Sequence, residues 1–214
     1  PSITGTIDFV TIATTGNATD FGDLNQTTKA NAGVSSSTIA AFGGGQEPYD
    51  TVEKITIASQ GNAVDYADMS VSRGYMAGLS NSVKGVFAGG ATPSNSNVID
   101  EFRIATGGTF TDFGDAQAAK SGVMGNTSAH GGLNDGYQGT RIAPIPTGLG
   151  VGQRALAAGG FTGGQPTIEE FNMTTTGNAS QFGSLAVGTY EISAMANTTR
   201  CLFAGGENPD GDTD

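Results

Sequence analysis

The stretch Ile12-Ala-Thr-Thr-Gly-Asn-Ala-Thr-Asp-Phe21 decides the fold, because three later stretches repeat its pattern. The copies are Ile57-Ala-Ser-Gln-Gly-Asn-Ala-Val-Asp-Tyr66, Ile104-Ala-Thr-Gly-Gly-Thr-Phe-Thr-Asp-Phe113 and Met173-Thr-Thr-Thr-Gly-Asn-Ala-Ser-Gln-Phe182. An apolar strand that ends in two glycines follows in each repeat, at Ala41-Phe-Gly-Gly-Gly45, Val86-Phe-Ala-Gly-Gly90, Leu156-Ala-Ala-Gly-Gly160 and Leu202-Phe-Ala-Gly-Gly206. The chain therefore contains four repeats of about 46 residues, and the third repeat carries an insertion at about residues 129–153.

Each repeat has the pattern of four short strands. Apolar pairs two residues apart, such as Ile55/Ile57 and Phe102/Ile104, place both side chains on one strand face. In the second repeat we predict strands over residues 52–58, 63–69, 74–80 and 84–89. A Gly-Asn step such as Gly16-Asn17 tolerates positive φ and predicts a tight hairpin turn.

The composition indicates an all-β chain. Of 214 residues, 35 are glycine and only 14% are charged. This excludes a helical bundle, because an interior glycine costs a helix about 0.8 to 1 kcal/mol. Four strands in a short repeat form one propeller blade, a small sheet that buries both faces only when neighbouring sheets pack against it. We expect a single β-propeller domain over residues 1–214.

The charge and the cysteine count exclude several classes of partner and site. The formal net charge is -11, which disfavours binding to nucleic acid and to anionic lipid. Cys201 is the only cysteine, so the chain can form neither an internal disulfide nor a metal cluster of several cysteines. No apolar window reaches the roughly 18 residues of a membrane span, so we expect no membrane insertion. Because the chain begins at Pro1, we expect either a processed protein or a segment of a longer one.

The order of features in a repeat resembles the kelch repeat. An apolar strand ends in Gly-Gly, a polar stretch and an Ile-Asp-x-Phe strand follow, and then come an aromatic residue, Leu or Met, and a basic residue such as Arg73. The aromatic residues stand where kelch repeats often have Trp, at Phe21, Tyr66, Phe113 and Phe182. The first repeat, from Ile12 to Leu24 and on through its Ser-Ser-Ser-Thr and Gly-Gly segments, is similar to kelch-like repeats in virion and tail proteins of tailed bacteriophages, cyanophages in particular.

The resemblance implies a ring of four blades that the chain ends close. The blade frame of kelch proteins is offset from the repeat frame. Residues 3–24 would then supply the two outer strands of one blade, and residues 185–206 would supply its two inner strands. Pairing of the N-terminal and C-terminal strands would remove an exposed sheet edge, which otherwise invites aggregation.

The residues that could carry catalysis have simpler structural interpretations. The glycine doublets precede no helix and no Lys, unlike a phosphate-binding loop. The pairs Asp20/Asp23, Asp65/Asp68 and Asp112/Asp115 recur with the repeat, as side chains that cap turns do. His130 is the only histidine, which excludes the copper site of galactose-oxidase-like kelch enzymes. A Cys201/His130 pair is the remaining nucleophile candidate, but Cys201 aligns with core positions where a free cysteine is typically a small buried hydrophobe.

Two segments are candidates for binding. The terminal Asn208-Pro-Asp-Gly-Asp-Thr-Asp214 places oxygen ligands at alternate positions, which suits calcium through Asp210, Asp212 and Asp214, although a solvated acidic loop has the same pattern. The insertion at about 129–153 breaks the fourfold pattern, and function is often grafted at such asymmetry. Its candidate partner-binding residues are Tyr137, Arg141, Ile142 and Ile145. We interpret it as a docking arm, with a free loop as the alternative.

These observations favour a structural and interaction module without catalytic activity or cofactor. The resemblance places it in a tailed-phage virion, in the tail, a tail fibre or a head fibre, with other virion subunits and a host-surface glycan or protein as partners. The second hypothesis is a secreted or cell-surface carbohydrate-binding propeller. A kelch-type hydrolase or oxidase is the third, and the lack of His, Cys and Trp opposes it.

Overall fold

The computed structural model describes residues 3–46, 49–81, 83–127, 154–161, 163–197 and 200–209. The strands in these ranges belong to small, mostly antiparallel sheets, and no helix is present among the described residues. This confirms the all-β prediction. The strands contain two to six residues each, in keeping with the dense spacing of glycine and other turn residues along the chain.

Three sheets of four or five strands make up most of the fold. The first contains β3 (Ala32–Ser35), β4 (Ile39–Gly43), β5 (Thr51–Thr56) and β6 (Val64–Asp68), with the short β12 (Gly108–Thr109) parallel to β6. The second contains β7 (Ala77–Ser80), β8 (Lys84–Ala88), β11 (Val98–Arg103) and β13 (Thr111–Asp115). The third contains β14 (Met124–Thr127), β15 (Arg154–Ala158), β16 (Thr167–Asn172) and β17 (Ser180–Ser184). A separate ribbon pairs β9 (Ala91–Thr92) with β10 (Ser94–Asn95).

The two chain ends form separate hairpins. The N-terminal hairpin pairs β1 (Thr6–Phe9) with β2 (Thr19–Asp23), and the C-terminal hairpin pairs β18 (Ser193–Ala196) with β19 (Cys201–Ala204). Each is a two-stranded sheet of its own. The predicted pairing of N-terminal with C-terminal strands is therefore wrong for this structure. Each hairpin packs instead on the sheet that is its neighbour in sequence, the first or the third.

The register repeats from sheet to sheet and explains the recurring aromatic residue. Between the third and fourth strands the pairing shifts by one residue at Val52/Glu53, Ile99/Asp100 and Ile168/Glu169, and it shifts in the same way at Ile7/Asp8 of the N-terminal hairpin. The extra residue of each bulge is Phe21, Tyr66, Phe113 or Phe182. A bulge redirects one side chain without breaking the sheet, and here it turns Phe21 and Phe113 into the core.

Apolar side chains fill the spaces between neighbouring sheets. One cluster joins the first and second sheets, where the rings of Phe102 and Phe110 stack with centroids 4.6 Å apart beside the buried Phe87. A second cluster joins the second and third sheets around Leu79 and Phe171. A smaller cluster joins the N-terminal hairpin to the first sheet. Each sheet thus buries its faces against its neighbours, as the small strands require.

The glycine doublets have a backbone role. Gly89 and Gly90 both have positive φ, 67° and 105°, which a residue with a side chain rarely adopts. The Gly90 N–H donates to the carbonyl oxygen of Lys120 in the segment leading to the next sheet, at 2.9 Å. The equivalent bonds from Gly45 to Arg73 and from Gly160 to Thr189 measure 3.2 and 3.1 Å. The doublets therefore join successive sheets.

The Gly-Asn steps do not form the tight turns that the sequence predicts. Seven residues connect β5 to β6, and a turn bond from Ser59 N–H to the Thr56 carbonyl begins this connection. Gly61 instead donates its N–H to the carbonyl of Phe21 in the neighbouring N-terminal hairpin, at 2.9 Å, and Asn62 Oδ1 accepts the N–H of Asp23 at 3.1 Å. Gly177 and Asn178 contact β13 in the same way. The predicted hairpins are present, since β5 pairs with β6 and β16 with β17, but the Gly-Asn step in each connection contacts the neighbouring unit instead of forming a tight turn.

The repeated aspartates also differ from the prediction. All six lie within the outer strands β2, β6 and β13 rather than in turns, and all six are exposed. They flank the bulged aromatic residue, whose neighbours alternate between the sheet faces. Turn capping is therefore not the reason for their recurrence, and the strand geometry places them in solvent.

Candidate functional site

Buried acidic side chains are the first feature that could carry chemistry. Asp100 lies in β11 directly after the register shift opposite the bulge of β13, and its carboxylate lies 3.1 Å from the guanidinium of Arg73, with both side chains at most 1% exposed. Ser70 Oγ also donates to Asp100 Oδ2, at 2.6 Å. Burial lowers the pKa of Arg73, and the charge of Asp100 opposes that effect. Both side chains are enclosed by the protein, so neither can reach a substrate.

The third sheet has an ion pair at the same position. Glu169 lies in β16 directly after the register shift opposite the bulge of β17, and Lys120 Nζ lies 3.0 Å from its carboxylate, with both side chains 3% exposed. In the first sheet the matching residue is Glu53, whose carboxylate accepts the backbone N–H of Asn25 at 3.0 Å. These acids hold the segment before each sheet against its third strand. The recurrence of an acidic residue at this position of the repeat was the signal in the sequence. The basic partners of Asp100 and Glu169 lie too far along the chain to be inferred from it.

The second feature is a set of exposed apolar residues at the two chain ends. Ile12, which follows β1, is 99% exposed, whereas two of its repeat counterparts, Ile104 and Met173, are fully buried and the other, Ile57, is 45% exposed. Val10 is exposed although its counterparts Phe102 and Phe171 are buried. On the C-terminal hairpin, Met195 and Leu202 are exposed, and so is Phe182 of β17. Residues that form the core in the middle of the fold are thus left uncovered at its ends.

A cleft of about 530 Å³ lies between the third sheet and the C-terminal hairpin. Its apolar lining includes Leu156, Ile168 and Phe182 on one side and Leu202 and Phe203 on the other. Leu156, Ile168 and Phe182 correspond in register to Val86, Ile99 and Phe113, which are buried against the third sheet. The cleft is therefore the place where a further strand would lie in a complete interface.

The free edges of the hairpins are the third feature. In the three sheets the second strand pairs with the third, as β4 with β5, β8 with β11 and β15 with β16. β19 corresponds to a second strand and β1 to a third strand, and each pairs on one side only. An edge of this kind presents unpaired N–H and C=O groups that can accept another strand.

Cys201 lies in β19 at the edge of this cleft. It is half-buried, and burial raises the pKa of its thiol. A raised pKa favours the neutral thiol, which is a poor nucleophile. The structure thus places Cys201 at a cleft and half-buried rather than in a closed core, and its lack of reactivity stays a prediction.

The other candidate residues from the sequence lie outside the described ranges. These are His130, the partner-binding residues Tyr137, Arg141, Ile142 and Ile145, and the calcium candidates Asp210, Asp212 and Asp214. Across the ranges the structure does describe, no group of three or more His, Cys, Asp and Glu side chains is placed to hold a metal ion. The same ranges contain no helix long and apolar enough to cross a membrane.

Comparison with protein-family models and with curated proteins found no match to this chain. The resemblance of its repeats to kelch repeats and to phage virion proteins therefore rests on the residues quoted from the sequence.

Proposed function

We propose that this chain is a non-catalytic structural and interaction module of a tailed-phage virion, built as a kelch-like propeller of four blades. The observation that carries the proposal is the fourfold recurrence of one strand pairing with one bulge, in three sheets and in the N-terminal hairpin. A unit repeated in this way builds surfaces by stacking, and its identical positions serve packing rather than chemistry.

The three sheets correspond to three blades, and the two hairpins supply the strands of a fourth. The C-terminal hairpin has the two inner strands and the N-terminal hairpin has the two outer strands, so that together they contain one complete set. The inner strands also start around a common space, which Ala30, Tyr75, Gly122 and Glu191 line together. A propeller with few blades has its inner strands this close together.

The buried charges support a role without catalysis. Each ion pair joins the segment before a sheet to the third strand of that sheet, and the exposed aspartates are spread along outer strands instead of converging on one point. A general acid or base has to reach a substrate directly or through one water. The Asp100 and Glu169 carboxylates are enclosed by their basic partners and cannot do so.

The proposed partners are other subunits of the virion, together with a glycan or protein on the host surface. The insertion at about 129–153, with Tyr137, Arg141, Ile142 and Ile145, is the proposed docking arm for them. The net charge of -11 favours such partners over nucleic acid. In this proposal the chain is located in the extracellular particle, in the tail, a tail fibre or a head fibre.

Immunogold electron microscopy of purified virions tests the proposal. An antibody raised against this chain should label the tail, its fibres or the capsid surface, and prior absorption with the purified protein should remove the label. Particles without label, together with label on the bacterial surface or in the culture medium, would overturn the virion assignment and favour the secreted carbohydrate-binding propeller.

A further inference from the structure

We propose that the cavity at the starts of the inner strands binds an uncharged saccharide, with Tyr75 and Glu191 as its principal contacts. This inner-strand cavity has a volume of about 540 Å³ and lies where β3, β7, β14 and β18 begin. Cavities of this size hold small ligands. The inference rests on the proposed function, because it names the site and the chemical class of the host-surface glycan.

Four residues at one position of the repeat surround the cavity, and all four have a left-handed backbone. The φ angles are 61° at Ala30, 58° at Tyr75, 66° at Gly122 and 53° at Glu191. From Tyr75 onwards, each N–H donates to the carbonyl oxygen of the residue before it in this set, at 2.8, 2.9 and 3.2 Å. Gly122 makes these bonds without a side chain, so the backbone arrangement does not require one.

Tyr75 and Glu191 therefore occupy positions that glycine suits better. A positive φ costs free energy for any residue with a side chain, and it is exceptional for a residue as large as tyrosine. Residues strained in this way cluster at ligand-binding sites. The Glu191 side chain is exposed, so packing does not offset the cost. Contact of the side chain with a ligand does.

Three aromatic side chains form a row at the rim of the cavity. The Tyr75 ring packs edge-on against Phe161 with centroids 5.9 Å apart, and the centroid of Phe161 lies 4.5 Å from that of Tyr190. The Phe161 ring also covers Gly122, where an added Cβ would come within 2.6 Å of it. Phe161 is 38% exposed, and both tyrosines are half-buried. The row therefore presents ring surface to a ligand at the cavity.

The aromatic row departs from the repeat at three separate positions. Each ring comes from a different unit, and the other three units have no aromatic residue at the same position. These counterparts are Ala30, Gly122 and Glu191 for Tyr75, Gln46, Ala91 and Glu207 for Phe161, and Lys29, Gly74 and Ser121 for Tyr190. A packing role would recur with the repeat, as the bulged aromatic residue does. Three departures that meet at one place indicate a binding surface, carried by loops on a rigid scaffold.

Polar side chains in the cavity suit the hydroxyl groups of a sugar. The polar lining includes Lys29, Asn31, Glu191 and Ser193. None of these four side chains forms a hydrogen bond or an ion pair with another residue in the part of the chain that the structure describes. They offer an ammonium, an amide, a carboxylate and a hydroxyl. A sugar hydroxyl both donates and accepts, so it can bond to each of them.

The charges favour an uncharged ligand. Lys29 and Glu191 carry opposite charges in the same cavity, and the net charge of -11 disfavours an anionic ligand. The face of an aromatic ring carries a negative potential, which attracts the slightly positive C–H groups on the face of a sugar ring. A saccharide therefore uses both parts of the site, because its ring stacks on the aromatic row while its hydroxyls bond to the polar lining.

An array of immobilised oligosaccharides tests the ligand class with the full chain. Neutral saccharides form the main arm, and the comparison arms are sialylated saccharides, sulfated saccharides and phosphocholine. The labelled protein should bind members of the neutral arm, and isothermal titration calorimetry with the same saccharides free in solution should give a measurable affinity. Absence of binding to every neutral saccharide would overturn the proposal. Binding confined to the anionic arms or to phosphocholine would overturn it as well.

Substitutions by glycine separate binding from stability. Glu191→Gly and Tyr75→Gly remove a ligand contact and relieve the positive φ, so each should weaken saccharide binding at least about tenfold. Glu191→Gly should unfold at the urea concentration of the wild type or at a higher one. Ala30→Gly is the matched control, because it changes the same backbone position without removing a polar or aromatic group, and it should bind like the wild type. Wild-type affinity in both Glu191→Gly and Tyr75→Gly would refute the assignment of these contacts.

The array and the virion labelling fail independently. Saccharide binding by a protein that is absent from virions would keep this site and assign it to the secreted carbohydrate-binding propeller. A protein that labels virions but binds no saccharide would remove this site and leave the structural role in the virion standing.

Discussion

Arg73 and Asp100 form a fully buried ion pair, in which a guanidinium nitrogen lies 3.1 Å from a carboxylate oxygen. Arg73 precedes the first strand of its sheet and Asp100 lies in the third strand. The ion pair therefore holds the segment before the sheet against the third strand. The carbonyl of Arg73 also accepts the Gly45 N–H from the preceding sheet. One residue therefore joins two units, and Lys120 does the same one unit later.

Asp100→Asn should destabilise the protein strongly. It leaves the buried Arg73 guanidinium without a counter-charge, and breaking a buried pair in this way costs about 3 to 5 kcal/mol. Urea unfolding measures the difference. Glu101 lies in the same strand as Asp100 and pairs with Lys84 in a less buried ion pair. Glu101→Gln should therefore cost about 1 kcal/mol or less. Equal effects of the two substitutions would contradict the structural role assigned to Arg73.

Phe87→Ala should cost about 3 to 5 kcal/mol of unfolding free energy, because the ring is fully buried and stacks on Phe102 and Phe110. Phe203 has the same place in the repeat pattern but lies half-buried on the C-terminal hairpin, so Phe203→Ala should cost about 1 kcal/mol or less in the monomer. Thermal or urea unfolding of both variants at low protein concentration compares them. A large loss at Phe203 would mean that the end of the fold is covered within one chain.

Gly89→Ala should destabilise the fold by about 1 to 3 kcal/mol. Its φ of 67° strains any residue with a side chain, and an added Cβ would lie 2.8 Å from the carbonyl oxygen of Lys120. Gly33→Ala is the matched control, since its added Cβ would meet the Phe42 ring at an ordinary 3.7 Å. The control variant should unfold at nearly the same urea concentration as the wild type. A Gly89→Ala protein of wild-type stability would show that the doublet tolerates a side chain.

Cys201 should react more slowly with iodoacetamide than an exposed thiol at neutral pH, because burial raises its pKa and reduces the thiolate fraction. The rate should rise with pH around a midpoint above that of the same protein in guanidinium, as followed by mass spectrometry. Because the folded pKa lies above the unfolded one, this residue's effect on stability is absent in acid. It becomes destabilising as the pH rises through the unfolded pKa. Equal midpoints for folded and unfolded protein would contradict the burial of the thiol.

Replacement of residues 128–153 by a three-residue turn should leave the fold intact. β14 and β15 pair with Thr127 opposite Ala155, and three residues already connect both β3 to β4 and β7 to β8. Loop length changes the closure entropy by only about 0.6 kcal/mol per doubling, so urea unfolding should show a small change. Virion incorporation of the shortened protein should fall if the segment is the proposed docking arm. Normal incorporation would remove support for that arm, and loss of folding would show that the segment belongs to the core.

The sequence by itself determined the strands, because alternation of apolar residues and the placement of glycines act within a few residues. The strands predicted at 52–58, 63–69 and 84–89 appear as β5, β6 and β8, with ends shifted by a few residues. The glycine doublets were recognised as backbone features for the same reason. Their function in joining successive sheets needed the structure.

Only the tertiary structure decided which repeated residues are buried and what they contact. Ile12 and Met173 occupy one position in the repeat, yet the first is exposed and the second is fully buried. The Gly-Asn steps were interpreted as turns, since their partners on the neighbouring unit lie about 40 to 60 residues away in sequence. Burial of a strand face depends on whether another sheet covers it. That depends on contacts between distant segments, which the local pattern of a repeat does not contain.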